Sequence, residues 1–275
     1  MSVLEGKVAV VSGSGRGIGR AVAVKLASAG ARVVVNDLDD GPAEETVAAI
    51  RAAGGSAAAC VGSVTDLEFA ERFVQTAVSE FGGLDIIVNN AGYTWDSVIQ
   101  KMTDEQWDAI LDVHLKAPFR ILRAAQPIIS ARAKAEARDG GAVCRKVVNV
   151  SSIAGVGGNV GQANYSAAKA GILGLTKALS KEWGRYNVTV NAVAFGLIRT
   201  RLTEVPAGGD ASIDIEGRQL KVGVNPELLE DMARAIPLGR AGTAEDAAGA
   251  VYLLTVPESD YISGQVLVCS GGYNI

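Results

Sequence analysis

Short apolar runs alternate with longer amphipathic segments along the whole chain. The runs are apolar without interruption, as in Val33-Val34-Val35 and Ile86-Ile87-Val88. Strands buried on both faces have this pattern, and such strands are typical of parallel sheets. The alternation therefore predicts an α/β fold, a doubly wound parallel sheet of about seven strands with helices on both faces. The predicted strands are Val8–Val11, Arg32–Asp37, Ala57–Val61, Leu84–Asn89, Val147–Val150, Val188–Val193 and Gln265–Val268, and the predicted helices span residues 16–29, 43–53, 66–80, 104–135, 163–185 and 243–254.

The 275 residues contain no internal repeat, low-complexity tract or Pro/Ser-rich linker. Hydrophobic residues make up 48% of the chain, enough to form a core without a disulfide or a structural metal. We therefore predict one dinucleotide-binding Rossmann domain over residues 1–275. Residues 201–235 interrupt the alternation with several glycines and Pro226, and a long excursion of this kind indicates a substrate lid.

Composition excludes several classes of function. The net charge of −4 offers no basic surface for nucleic acid, and no apolar run is long enough to span a membrane. Residues 1–7 lack the pattern of a signal peptide. Cys60, Cys144 and Cys269 lack metal-ligand spacing and are typical of reduced thiols. We expect a cytoplasmic protein without a bound metal.

A glycine-rich loop follows the first predicted strand and precedes the first predicted helix. Its glycines permit left-handed backbone and let N–H groups approach a pyrophosphate, and the helix N-terminus adds partial positive charge. A structural tight turn is the alternative, but the strand and helix around the loop favour dinucleotide binding. The predicted cofactor-binding residues in this loop are Gly13, Arg16, Gly17, Ile18 and Gly19.

Asp37 closes the second predicted strand, where a carboxylate can accept hydrogen bonds from both ribose hydroxyls of NAD. The same carboxylate would repel the 2′-phosphate of NADP. Two alternatives stand beside this one: Asp37 could only cap the loop, and Arg16 could bind a 2′-phosphate. Because a carboxylate facing a phosphate dianion is costly, the sequence favours NAD, with NADP as the less favoured cofactor.

Tyr165 and Lys169 lie four residues apart on a predicted helix, so they share one face. Ser152 follows a buried strand, and residues at the carboxyl ends of parallel strands face the ligand crevice. An ammonium beside a phenol lowers the phenol pKa, so we expect Lys169 to activate Tyr165 as a general acid or base. Ser152 would donate a hydrogen bond to a developing oxyanion. The three residues predict reduction of a ketone or oxidation of a secondary alcohol.

Several motifs together resemble the short-chain dehydrogenase/reductase family over nearly the whole chain. They are Ser12–Gly19, Asn89-Asn90-Ala91-Gly92, Ser152, Tyr165-Ser166-Ala167-Ala168-Lys169, and Asn191 through Thr200. The resemblance implies a homotetramer built on paired helices, here 104–130 and 163–185. It also implies further cofactor contacts: Ser63 and Val64 at the adenine, Asn90, Ala91 and Gly92 beside the adenosine ribose, Gly196, Ile198 and Thr200 at the nicotinamide amide and phosphates, and Tyr165 and Lys169 at the nicotinamide end.

His114 is the single histidine and stands where most members of the family have Asn. The resemblance implies that this position holds a water that passes protons to Lys169. A histidine could hold such a water and could titrate near neutral pH. The alternative is that His114 only satisfies backbone groups at a helix kink.

Within the family, the chain is similar to 3-oxoacyl-[acyl-carrier-protein] reductases and to the (3R)-hydroxyacyl-CoA dehydrogenase domain of peroxisomal multifunctional enzymes. Both act on acyl thioesters, so we expect a 3-oxoacyl or 3-hydroxyacyl thioester substrate on CoA or acyl carrier protein. Residues 116–146 carry six net positive charges and could bind CoA phosphates or an acidic carrier, although a solvated helix face is favoured. The alternatives are a dehydrogenase of a steroid, sugar or diol, and a non-catalytic NAD-binding sensor.

Overall fold

The computed structural model describes residues 2–200, 211–222 and 226–273. Each of the seven predicted strands is present, and together they form one parallel sheet. Two further strands form a separate antiparallel hairpin. The strands are β1 (Val8–Val11), β2 (Arg32–Val35), β3 (Ser56–Ala59), β4 (Ile86–Asn89), β5 (Arg145–Ser152), β6 (Val188–Phe195), β7 (Ala211–Ile215), β8 (Arg218–Val222) and β9 (Val266–Cys269), of which β7 and β8 are the hairpin.

The order across the sheet is β3-β2-β1-β4-β5-β6-β9. Successive strands are added on one side of β1 up to β3, and from β4 onwards they are added on its other side. Ligands of open α/β sheets bind beyond the carboxyl ends of the strands at such a switch point. The topology therefore places the ligand crevice beyond the ends of β1 and β4.

Helices cover both faces of the sheet, as predicted. Apolar side chains of α1, α2 and α9 form the core on one face, and those of α3, α5 and the end of α7 form the core on the other. The helices are α1 (Gly17–Ser28), α2 (Asp40–Ala52), α3 (Phe69–Phe81), α4 (Asp104–Leu111), α5 (Ala117–Arg138), α6 (Ile153–Gly157), α7 (Ala163–Trp183), α8 (Pro226–Arg234) and α9 (Ala244–Leu253). Among the residues described, no helix combines the length and apolar character needed to cross a membrane.

The helix predicted over residues 104–135 is interrupted. A π-helical turn, Asp112–Lys116, separates α4 from α5, and α5 continues to Arg138. The wider turn carries His114 into the interior, where only 4% of its surface is exposed. Turns of this type inside helices occur frequently at functional sites.

The predicted lid is only partly described. Residues 201–210 and 223–225 lie outside the described residues. Within the rest, the β7–β8 hairpin turns at Glu216 and Gly217, both with positive φ, and α8 follows. The excursion thus contains a hairpin and a helix that the sequence interpretation had left without secondary structure.

Candidate active site

A cavity of about 760 Å³ lies at the switch point of the sheet. Every residue that the sequence predicted for the catalytic and cofactor sites lines this one cavity. The glycine loop forms one end, and the predicted catalytic residues form the other. The lining residues from the prediction are Gly13, Arg16, Gly17, Ile18, Gly19, Asp37, Ser63, Val64, Asn90, Ala91, Gly92, His114, Ser152, Tyr165, Lys169, Gly196, Ile198 and Thr200.

The glycine loop is shaped to receive a phosphate group. Gly13 and Gly17 have φ of +62° and +53°, a left-handed region in which side chains are strained. A Cβ at Gly19 would overlap the Gly13 carbonyl oxygen, so the loop packs closely on itself. The side chain of Arg16, the N-cap residue of α1, makes no capping bond to the first N–H groups of this helix, where an anion is favoured. These features fit the pyrophosphate of a dinucleotide.

Asn90 connects the loop to the neighbouring strand. Its Nδ2 donates to the carbonyl oxygens of Ser12 and Gly13, each at 3.0 Å. The Ser12 hydroxyl accepts from the backbone N–H groups of Asn90 and Ala91. These bonds fix the glycine loop against the end of β4.

Asp37 and Arg16 form an ion pair at the position where the ribose of the adenosine half is expected. Arg16 Nη1 lies 3.1 Å from Asp37 Oδ1, and its Nη2 lies 2.8 Å from Asp39 Oδ2. Asp37 is 8% exposed, and its Oδ2 faces Gly15, where a Cβ would lie 2.5 Å away. One guanidinium is thus shared by two carboxylates, and this corner of the cavity keeps a net negative charge.

Ser152, Tyr165 and Lys169 come together at the opposite end. Ser152 ends β5 and caps α6, with its hydroxyl accepting from the Ala154 N–H at 3.1 Å. Lys169 Nζ lies 5.6 Å from the centre of the Tyr165 ring and donates to the Val150 carbonyl oxygen at 2.7 Å. The Ser152 side chain also acts on Tyr165, whose pKa it lowers.

The electrostatics of these residues differ from the expectation. Burial raises the pKa of Tyr165 to about 12, while the Ser152 hydrogen bond lowers it and the charge of Asp96 raises it further. Burial lowers the pKa of Lys169 to about 7, because an ammonium loses its hydration there. The expected lowering of the Tyr165 pKa by a charged Lys169 is therefore wrong for this structure. Tyr165 remains protonated at neutral pH and is set as a proton donor.

His114 packs directly against the catalytic tyrosine. Its Nε2–H donates to the Tyr93 carbonyl oxygen at 2.7 Å, and its ring meets the Tyr165 ring edge-on with centroids 5.0 Å apart. Burial lowers the His114 pKa well below its usual value, and the nearby Lys169 lowers it further. Of the two alternatives for His114, titration near neutral pH is therefore contradicted, whereas its bond to the Tyr93 carbonyl agrees with a role in satisfying the backbone. A Cβ at Gly92 would overlap the imidazole ring, so the glycine is required for this packing.

Part of the cavity wall was missed by sequence interpretation. Tyr93, Thr94, Trp95 and Asp96 line the cavity just after the Asn-Asn-Ala-Gly segment, and their position directly beyond a buried strand was the available signal. The turn of the β7–β8 hairpin closes the opposite side. Further lining residues that had been given no role are Asn36, Leu38, Gln162 and Leu197, whereas Ile215, Glu216 and Gln219 belong to the predicted lid.

Three contacts hold the hairpin turn over the cavity. Arg218 Nε lies 2.9 Å from Glu105 Oε1 in the first turn of α4. The Arg218 guanidinium also lies 5.7 Å from the centre of the Trp95 ring. Glu216 contacts the Thr65 hydroxyl at 3.5 Å. The hairpin therefore spans the cavity from α4 to the segment after β3.

Only part of the basic segment 116–146 is free to bind an anion. Arg145 is 1% exposed and pairs with Glu136, and Lys146 is 3% exposed and pairs with Asp260 at 2.6 Å. Arg120 donates to a backbone carbonyl. These cations are already engaged inside the protein, so the net positive charge of this segment overstates its attraction for an acidic partner.

Comparison with known proteins agrees with this geometry. Residues 13–274 match a family model described as enoyl-(acyl carrier protein) reductase. The 3-oxoacyl-[acyl-carrier-protein] reductase of Synechocystis is 36% identical over 274 residues, covering 99% of this chain and 98% of that protein. That of Thermotoga maritima is 36% identical over 270 residues, covering 98% of each. The chain belongs to the short-chain dehydrogenase/reductase family.

A solved member of this family has the same architecture. A doubly substituted variant of a short-chain dehydrogenase/reductase from Serratia marcescens superimposes with a TM-score of 0.83 at 29% identity. The match covers 99% of this chain and all of the other. The short-chain dehydrogenase/reductase described here is therefore an oxidoreductase that uses a nicotinamide cofactor.

Proposed function

We propose that this enzyme interconverts 3-oxoacyl and 3-hydroxyacyl thioesters with NAD(H). The observation that carries the proposal is the arrangement of Ser152, Tyr165 and Lys169 at one end of the cavity whose other end is the glycine loop. A hydroxyl pair beside a nicotinamide position suits a carbonyl oxygen that becomes an alcohol. The thioester is favoured because relatives that match nearly the full length are 3-oxoacyl-[acyl-carrier-protein] reductases.

The roles of the catalytic residues follow from their protonation. Bound NADH would supply the hydride to the carbonyl carbon. The Tyr165 hydroxyl, protonated at neutral pH, donates its proton to the carbonyl oxygen, so the ketone becomes a secondary alcohol. Ser152 donates a hydrogen bond to the same oxygen as negative charge develops on it. Lys169 binds the nicotinamide ribose and returns a proton to Tyr165, which its lowered pKa favours.

NAD is the proposed cofactor because of the charge around Asp37. A 2′-phosphate would meet the Asp37 carboxylate, and the only guanidinium lining that corner among the described residues is Arg16. Arg16 is already paired with Asp37 and Asp39. Binding NADP would require this pairing to be broken and a phosphate dianion to lie beside two carboxylates, which is costly. The ribose hydroxyls of NAD can instead donate to Asp37.

Two further assignments complete the site. We assign His114 a positioning role, with its neutral ring holding Tyr165; its Nδ1 is buried without a partner among the described residues and can accept a hydrogen bond from a water. We assign the 201–235 excursion to a substrate lid, supported by the hairpin contacts to Glu105 and Thr65. A cytoplasmic homotetramer that accepts acyl groups on CoA or on acyl carrier protein stays part of the proposal.

The test is reduction of acetoacetyl-CoA at neutral pH, with NADH and NADPH compared under the same conditions. We expect turnover with a strong preference for NADH. Preference for NADPH would contradict the role of Asp37 and favour a biosynthetic carrier-protein reductase. Tight NADH binding without turnover would contradict the thioester assignment; a panel of steroid, sugar and diol substrates would then separate another dehydrogenase from a non-catalytic sensor. Crotonyl-CoA, assayed in parallel, tests whether a carbon–carbon double bond is reduced instead.

A further inference from the structure

Asp96 is a carboxylate in the wall of the catalytic cavity that the proposed mechanism does not use. It follows Trp95 in the loop after β4, and it faces the same space as Ser152 and Tyr165. Asp96 and Tyr165 line one cavity, and the charge of Asp96 raises the pKa of Tyr165. The same negative charge would also act on a substrate bound beside Tyr165.

Contacts on both sides fix the position of Asp96. Gln162 Nε2 donates to Asp96 Oδ2 at 2.8 Å, and Asn159 Nδ2 donates to Gln162 Oε1 at 2.9 Å. The next residue, Ser97, donates its backbone N–H to the Gly161 carbonyl oxygen at 2.8 Å. The carboxylate is thus tied to the loop before α7, the helix that carries Tyr165, and it cannot turn away from the cavity without breaking this chain of bonds.

Asp96 forms no ion pair among the described residues, and Arg218, which packs on the neighbouring Trp95, is paired with Glu105 and Glu216. Among the described residues that line the cavity, the charged side chains other than Asp96 are Arg16, Asp37, Lys169 and Glu216. Arg16 and Asp37 form the ion pair at the adenosine end. Burial lowers the pKa of Lys169 to about 7, so this amine is only partly charged at neutral pH. Glu216 pairs with Arg218 at 3.4 Å, so among these lining residues Asp96 is the carboxylate at the substrate end that has no ion-pair partner.

We infer that Asp96 is a specificity-determining residue that excludes free 3-oxo acids and admits their uncharged thioesters. The two substrate classes share the reacting ketone and differ at the acyl carbon, two bonds from it: a free acid is a carboxylate there, and a thioester is neutral. A carboxylate bound for reaction would lie in the same cavity as the unpaired Asp96 carboxylate and would be repelled by it, whereas a thioester meets no such repulsion. This inference rests on the proposed function, since it names the form in which that site takes its substrate.

The test compares acetoacetate with the acetoacetyl thioester of N-acetylcysteamine, which is uncharged, in wild type and Asp96→Asn. Asparagine keeps the shape and can still accept from Gln162 Nε2, so only the charge is removed. Removal of a like charge from the wall of the same cavity, at an effective dielectric constant near 20, predicts a rise of at least about tenfold in the ratio of kcat/KM for acetoacetate to that for the thioester. Asp139→Asn, an exposed carboxylate after α5 and outside the cavity, is the matched control and should leave the ratio unchanged.

The outcomes distinguish failure of the inference about Asp96 from failure of the proposed function. A ratio in Asp96→Asn within twofold of wild type, with thioester turnover retained, would overturn the inference and leave the proposed function standing. Failure of wild type to reduce the neutral thioester would contradict both. Equal melting temperatures of wild type and variant exclude a loss of folding as the cause, and the ratio itself cancels any general loss of active enzyme.

Discussion

Replacing Lys169 by methionine should make the protein more stable at low pH and not at high pH. Lys169 is 3% exposed, and burial lowers its pKa from 10.5 to about 7. At about 1.4 kcal/mol per pKa unit, keeping this lysine buried costs up to about 5 kcal/mol below pH 7. Relaxation of the protein and entry of water reduce such penalties, and the variant also loses the hydrogen bond from Lys169 to the Val150 carbonyl. We therefore expect the free energy of unfolding of Lys169→Met to exceed that of wild type by ~2 kcal/mol at low pH.

The sign of the pH dependence follows from the protons bound in each state. Between pH 7 and 10.5 the unfolded chain holds a proton on Lys169 that the folded chain has released. Wild-type stability therefore rises with pH across this window relative to Lys169→Met, and the advantage of the variant is largest below pH 7. A gain that persists unchanged to high pH would refute the reasoning.

Urea unfolding at pH 6, 7.5 and 9 would measure this effect, at one fixed protein concentration because assembly shifts apparent stability. Lys177→Met on the same helix, α7, is the matched control, since that lysine is exposed. The change in the free energy of unfolding that Lys177→Met causes should not vary with pH. Parallel curves for the two variants would mean that Lys169 keeps an ordinary pKa in the folded enzyme.

Four other variants test the remaining roles. Tyr165→Phe should lower kcat by about 10²–10⁴-fold with NADH binding unchanged in a fluorescence titration; normal turnover would remove Tyr165 as proton donor. Asp37→Ala should lower kcat/KM for NADH about tenfold or more, because the hydrogen bonds from the ribose hydroxyls to the carboxylate are lost, and it should reduce the preference for NADH over NADPH. His114→Phe should lower the free energy of unfolding by about 1–3 kcal/mol above pH 7, because the Tyr93 carbonyl loses its hydrogen-bond donor. Below pH 6.5 the difference between variant and wild type should be smaller, because the buried His114 resists protonation and the wild type itself loses stability there. Arg218→Gln should raise KM for acetoacetyl-CoA about threefold with kcat retained, as expected for an exposed ion pair; a fall in kcat alone would contradict a lid role.

The sheet and the cofactor end could be predicted because their signals are local. Uninterrupted runs such as Val33-Val34-Val35 mark strands buried on both faces, and the glycine loop lies between β1 and α1 in sequence as in space. The hairpin was missed although its signal was present. Apolar residues occupy every second position at Ile213 and Ile215 and again at Leu220 and Val222, on either side of a Glu-Gly turn, which is the pattern of a β-hairpin. Because the segment was interpreted only as a lid, this alternation was overlooked.

The protonation states could not be read from sequence. The spacing of Tyr165 and Lys169 correctly places them on one face of a helix, but their pKa values depend on burial by segments far away in the chain. The same holds for Asp96, which reaches the cavity only because its loop is bonded to the segment before α7. A motif indicates which groups meet, whereas tertiary burial decides which of them carry charge.

The close contact between Gly92 and His114 has a consequence for how this sequence can diverge. The imidazole is held by the Tyr93 carbonyl and by the Tyr165 ring, so it cannot swing aside to admit a side chain at position 92. The two positions are 22 residues apart, yet their substitutions are not independent. A descendant could acquire alanine at position 92 only after position 114 had become smaller, and the reverse order would pass through a damaged active site.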